Sequence, residues 1–172
     1  MKTLVLGGVR SGKSRFAENL AARGGQPVTY IATATAEDDE MRRRIEAHRH
    51  QRNAAWRLVE EPKALAATLT AHVRPGQCVL VDCLTLWLTN LLTATDRDAL
   101  ERERDNLFKL LPDLEGDIIF VSNETGLGIA PLGELTRRFG DEAGRMHQTL
   151  AQLCDHVHFM VAGLPMTIKG QL

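Results

Sequence analysis

Residues 4–20 of the chain read LVLGGVRSGKSRFAENL. Leu4, Val5 and Leu6 make an apolar run that enters a glycine-rich turn, after which Phe16, Ala17 and Leu20 recur on one helical face. Gly7, Gly12, Lys13 and Ser14 satisfy G-x-x-x-x-G-K-[ST], and strand, turn and helix are the context that gives this pattern chemical meaning. The glycines let backbone N–H groups wrap an anion, and the helix N-terminus adds its positive end. Lys13 is expected to reach the outer phosphates and the Ser14 hydroxyl to ligate Mg²⁺. The loop therefore predicts a bound nucleoside triphosphate. It leaves open whether the nucleotide powers motion, donates a phosphoryl group or donates something larger.

The rest of the chain alternates in the same way. Short apolar runs at 28–32, 78–82, 117–122 and 156–162 join 3–6 as strand candidates, and LPMTIKG near the end can supply one more. Helical patterns fall between them at 14–22, 38–52, 63–71, 87–92 leading into 97–111, and 141–153. This predicts an α/β fold, P-loop NTPase-like, with a mostly parallel sheet covered by helices on both faces. No repeat or linker divides the 172 residues, so a single domain over 1–172 is expected.

Composition narrows the function classes. Twenty-one basic against twenty-two acidic residues give no global pull toward nucleic acid or anionic membrane. The cysteines, Cys78, Cys83 and Cys154, are odd in number and lack C-x-x-C spacing, which fits a reduced, cytoplasmic protein. The MKTLVLGG start is too short an apolar run for a signal sequence, and no run approaches a membrane span.

Such a loop needs a second carboxylate to support the metal, at the end of a neighbouring apolar strand. Asp82, closing CVLVD, fits that role or a simple cap. The run 118–122 ends in Asn123 and Glu124, and SNETGLG belongs near the same site because ligands gather beyond the carboxyl ends of strands. Its role could also be turn formation alone.

Most of the six histidines have plain readings. His156 and His158 share a strand face, His72 ends a helix, and His147 sits mid-helix with no partner identifiable from sequence. His48 lies in EDDEMRRRIEAHRHQRNAAWR, on a stripe with Met41, Ile45 and Arg52 and with Arg44 one turn before. It is either a half-buried histidine closing an apolar edge or a nucleophile toward phosphorus, with Arg44 and Arg52 steadying the phosphate charge. His50, about 200° away on the helix, cannot face the same point.

The segments GGVRSGKSRFAE, YIATATAEDDEMRRRIEAHRHQR, WRLVEEP, VLVDCLTLWLTN, VSNETGLGIAP and GLPMTIK, in this order and spacing, resemble the bifunctional adenosylcobinamide kinase/adenosylcobinamide-phosphate guanylyltransferase family. The resemblance implies two reactions in coenzyme B12 assembly. ATP or GTP phosphorylates the aminopropanol hydroxyl of adenosylcobinamide. GTP then guanylylates an enzyme histidine, and GMP passes to the phosphorylated cobinamide to give adenosylcobinamide-GDP. The family histidine falls on His48, catalytic together with Lys13. Nucleotide-binding roles fall on Gly7, Gly8, Val9, Arg10, Ser11, Gly12, Lys13 and Ser14, on Ala32, Thr33 and Ala34, on Arg49, His50, Gln51 and Arg52, and on Glu60 and Asp82. Mg²⁺ falls to Ser14 and Asp82. The family is also described as trimeric, with sites near subunit boundaries.

Two competing readings fit the same residues. In a kinase-only enzyme, His48 would be structural and only the γ-phosphate would move. A nucleotide-switched or DNA-associated ATPase would bind a macromolecular partner instead. Balanced charge and the lack of a basic, aromatic-interleaved surface argue against DNA.

Overall fold

The computed structural model describes residues 1–35, 39, 42–43 and 53–170. Its strands are β1 (Lys2–Gly7), β2 (Val28–Ala32), β3 (Arg57–Glu60), β4 (Cys78–Asp82), β5 (Asp117–Asn123), β6 (His156–Val161) and β7 (Leu164–Lys169). They form one sheet in the order β3-β2-β4-β5-β1-β6-β7. Every pairing is parallel except β6 with β7, which turn back on each other at Ala162 and Gly163. The described helices are α1 (Lys13–Arg23), α2 (Leu65–His72), α3 (Leu84–Leu92), α4 (Ala99–Leu110) and α5 (Glu134–Leu153).

Interior strands are apolar on both sides because both sides are covered. Leu4, Ile31, Val79, Val81, Ile118, Phe120 and Val157 face α2 to α5 in one core. Their neighbours Val5, Tyr30, Leu80, Ile119, Val121 and Met160 face Ala17 and Ala21 of α1 in the other. Small alanines let α1 lie close to β1, β4 and β5, and Lys13 shares their buried stripe. Trp87 is fully buried in the first core, and its Nε1–H donates to the Lys63 carbonyl at 2.7 Å, which satisfies the one polar atom it buries.

The expected α/β architecture is observed, with differences at element ends. β3 was not anticipated: RLVE is a short edge strand, exposed at both ends, and its alternation is too brief to register. α3 begins at Leu84 rather than 87, because the largely apolar run CVLVDCLTLWL hides where β4 stops and the helix starts. α5 begins at Glu134 rather than 141, since residues 134–138 are exposed and carry no apolar period. Of the helix expected over 38–52, Asp39, Arg42 and Arg43 are helical; its other residues lie outside the described ones.

Candidate active site

Parallel register brings the carboxyl ends of the strands into one row. Glu60 pairs with Ala32, Ala32 with Asp82, and Gly7 with both Asn123 and Met160. Asp82 lies opposite Val121, two residues before Asn123. Gly7, Ala32, Glu60 and Asp82, far apart in sequence, thus share one sheet edge, where ligands of such folds bind.

The loop between β1 and α1 is shaped by its glycines. Gly12 caps α1 with φ +95°, and a Cβ there would sit 3.1 Å from the Gly163 Cα. A Cβ on Gly7 would come within 2.6 Å of the Met160 carbonyl oxygen. The β6–β7 turn also holds the loop directly, as the Gly163 amide donates to the Ser11 carbonyl at 3.0 Å. Half-buried Gly8 leads into the exposed Val9 and Arg10 at the top of the arch, with Arg10 at φ +56°.

Lys13 is 7% exposed and its Nζ donates to the Gly8 carbonyl at 2.6 Å. Burial holds its pKa below the usual lysine value, while Cys83 and Asp82 act the other way. An ammonium under an arch of backbone amides is a cation placed for phosphate oxygens.

Asp82 accepts a hydrogen bond from the Tyr30 hydroxyl at 3.0 Å. Burial first, and then Asp82, raises the Tyr30 pKa well above the usual phenol range, so Tyr30 stays a donor. Thr33 is fully buried, and its hydroxyl spans the chain beside Asp82: it donates to the Cys83 carbonyl at 2.7 Å and accepts from the Cys83 amide at 2.9 Å. Asn90 of α3 donates to the Thr33 and Pro62 carbonyls and accepts from the Thr35 hydroxyl. The segment Ala32–Thr35 is therefore fastened to the strand that ends in Asp82. Thr33 faces inward, Ala34 is half-buried and Glu60 is exposed at the far end of the row.

Ser14 and Asp82 offer a hydroxyl and a carboxylate. Among the described residues no three His, Cys, Asp or Glu gather as a cage. Hard oxygen donors of this kind suit Mg²⁺, which is held by one or two protein oxygens together with substrate phosphates and water. The cysteines are free thiols, and burial pushes Cys78 and Cys154 up to about 12, which suits packing rather than reactivity.

SNETGLG does more than turn. Ser122 Oγ lies 2.8 Å from His147 Nε2, and His147 Nδ1 lies 3.6 Å from Glu124 Oε2. Thr85 of α3 closes the set by accepting from the Asn123 amide at 2.7 Å. Serine, histidine and glutamate follow one another as in acyl transfer, but Ser122 is only 1% exposed, so no carbonyl can reach it. Sequence showed the Ser-Asn-Glu run; that His147 meets it required α5 to fold back onto the sheet, where it packs against β1 beside β5. Burial lowers the His147 pKa against the pull of Glu124.

His48, Arg49, His50, Gln51 and Arg52, with Arg44, lie outside the described residues. The remaining candidates, Gly7 to Ser14, Ala32 to Ala34, Glu60 and Asp82, are all described. His156 and His158 have stacked rings with centroids 6.3 Å apart, and His158 meets Phe16 edge-on.

The chain is 60% identical to the bifunctional adenosylcobalamin biosynthesis protein CobP of Pseudomonas aeruginosa, with 99% of each chain covered. It is 40% identical to the protein named CobU in Salmonella typhimurium, covering 98% of this chain and 100% of that one. Among solved structures, the RadB recombinase aligns over 92% of this chain and 73% of its own, at TM-score 0.51 and 19% identity. A Pyrococcus horikoshii protein, PH0250, aligns over 99% and 87% at TM-score 0.55 and 9% identity. These two distant likenesses bear on the fold alone, which is P-loop NTPase-like. The model of the cobinamide kinase/cobinamide phosphate guanyltransferase family matches residues 3–168, and the chain belongs to that family.

Proposed function

We infer that this chain carries out both transfers of its family: phosphorylation of the aminopropanol hydroxyl of adenosylcobinamide by ATP or GTP, then transfer of GMP from GTP to give adenosylcobinamide-GDP. The observation that carries this reading is Lys13, buried under its loop with Nζ on the Gly8 carbonyl, at the same sheet edge as Asp82, in a chain matched to the family from residue 3 to 168. Lys13 and the loop amides would hold the phosphates, and Ser14 and Asp82 would hold Mg²⁺. When bound, the ion would neutralise charge developing on the leaving phosphates.

The guanylylation step is assigned to His48. Its imidazole nitrogen forms a bond to the α-phosphorus as the bond to the bridging oxygen breaks and pyrophosphate leaves. The acceptor phosphate then displaces histidine. The chain supports this assignment through Thr35, where the segment leading to His48 leaves the sheet at its carboxyl edge, two strands from the phosphate loop's neighbour β5. Arg49 and Arg52 would offset phosphate charge.

Incubation with GTP labelled at the α-phosphate, without cobinamide, tests the reading. Protein-bound label stable in alkali and lost in acid is expected. Label that persists in His48→Ala overturns the His48 assignment, and a folded protein that takes up none is a kinase only.

We also assign the protein to the cytoplasm and to a homotrimer. Leu164, Met166 and Ile168 expose an apolar strip along the edge strand β7, 54–70% accessible, which a second copy would cover. Light scattering on the purified chain reads its mass; a monomer at micromolar concentration removes the trimer. No described helix is long and apolar enough to cross a membrane.

A further inference from the structure

Phosphoryl transfer to an alcohol is helped by a group that takes the hydroxyl proton, and the roles given above to the nucleotide-holding residues do not include that task. We propose that Glu124 is this general base and that His147, itself held by Ser122, is the residue that positions it. The proposal rests on the kinase reading above.

Position comes first. The Glu124 amide donates to the Gly7 carbonyl at 2.9 Å, so this residue flanks the root of the phosphate loop. The other described carboxylates at this edge serve elsewhere. Glu60 ends the outermost strand, with β2, β4 and β5 between it and β1. Asp82 bonds Tyr30 on the α1 side of the sheet and acts on Lys13. Glu124 lies toward α5, on the opposite side, so the loop is flanked by a cation and a metal ligand on one side and a base on the other.

Orientation comes next. Glu124 Oε1 accepts the Gly126 amide at 2.6 Å. Oε2 stands 3.6 Å from His147 Nδ1, and a carboxylate oxygen with two lone pairs can face the imidazole with one and a substrate hydroxyl with the other. The carboxylate side chain is 23% exposed, whereas His147 and Ser122 are shut away from solvent. Ser122 Oγ lies 2.8 Å from Nε2, and in the tautomer that carries its proton on Nδ1 the ring accepts from Ser122 and turns Nδ1–H to the carboxylate. The buried pair thus aims the glutamate without touching substrate.

In the step itself, the acceptor oxygen bonds the γ-phosphorus as the bond from phosphorus to the β,γ-bridging oxygen breaks. The electron pair of that bond leaves with the nucleoside diphosphate, and the hydroxyl proton passes to Glu124 Oε2.

Glu124→Gln, His147→Gln and the double variant test this in the full chain, with wild type as control. Two readouts are followed: phosphorylation of cobinamide by ATP, and uptake of α-labelled GMP. Glu124→Gln is expected to lower kcat of phosphorylation by about 10²–10⁴-fold, with nucleotide KM and GMP uptake unchanged. His147→Gln should lower kcat by about 10–100-fold, and the double variant should be no slower than Glu124→Gln alone, because one acts through the other. Wild-type phosphorylation in Glu124→Gln overturns the base. Joint loss of phosphorylation and GMP uptake also overturns it, since Glu124 would then be holding the loop. Additive losses in the double variant overturn the positioning role. A wild-type chain that does not phosphorylate cobinamide at all overturns the underlying kinase reading instead.

Discussion

Thr33 and Cys83 are joined twice through a single hydroxyl, which donates to one backbone carbonyl and accepts from the amide of the same residue. No solvent reaches Thr33. The clasp fixes the chain where β2 and β4 both end, one residue past Asp82. Thr33→Val keeps the shape and takes the acceptor from the part-buried Cys83 amide, while the Cys83 carbonyl keeps the Trp87 amide. It is expected to lower stability by about 1–3 kcal/mol and to weaken phosphorylation by shifting Asp82. Urea unfolding and kinase assays read the two effects; a variant as stable as wild type shows the clasp to be dispensable.

Lys13 and His48 are expected to separate the two transfers. Lys13→Ala removes the cation that both reactions use, so both rates should fall by about 10²–10³-fold. His48→Ala should abolish GMP uptake while leaving at least part of cobinamide phosphorylation. Equal loss of both activities in a folded His48→Ala protein rules out distinct roles.

Gly7 has no room for a side chain. Its φ is +152°, and an added Cβ would press on the Met160 carbonyl and the Ser11 hydroxyl at 2.6 and 2.7 Å. One neighbour is backbone of an inner strand, so the loop must move instead. Gly7→Ala is expected to melt without the upward shift that ATP or GTP gives wild type, since only a binding-competent fold is stabilised by ligand. A normal shift would show that the loop tolerates the methyl group.

Buried histidines set an acid limit to stability. Burial lowers the pKa of His147, with Glu124 opposing, and burial followed by His156 lowers that of His158. For a base whose folded pKa is depressed, the unfolded chain takes up protons first as pH falls. Stability is therefore complete above the ordinary value of 6.5 and declines below it, toward the lowered folded values. Melting temperature should fall from about pH 7 to about pH 5, and less steeply in His158→Gln. A profile identical to wild type in that variant removes His158 from the effect.

Most of the fold was legible in the chain because its interior strands are covered on both faces. Such strands must be continuous apolar runs, and VLVD, DIIFVSN and LVLG read that way without a structure. Local rules failed where packing sends no periodic signal. β3 is four residues at a sheet edge, and the first turns of α5 are exposed.

The site divides along the same line. The phosphate loop is a local motif, set by glycines and a lysine within eight residues, so sequence alone determined it. Sequence also marked Asp82, as a charge ending an apolar strand. Tertiary structure decided which side chains meet: Tyr30 with Asp82 across β2 and β4, Thr33 with Cys83, and His147 with Ser122 across 25 residues. Such contacts depend on strand order and on the helix that packs over each strand, and neither is written in the spacing of residues along the chain.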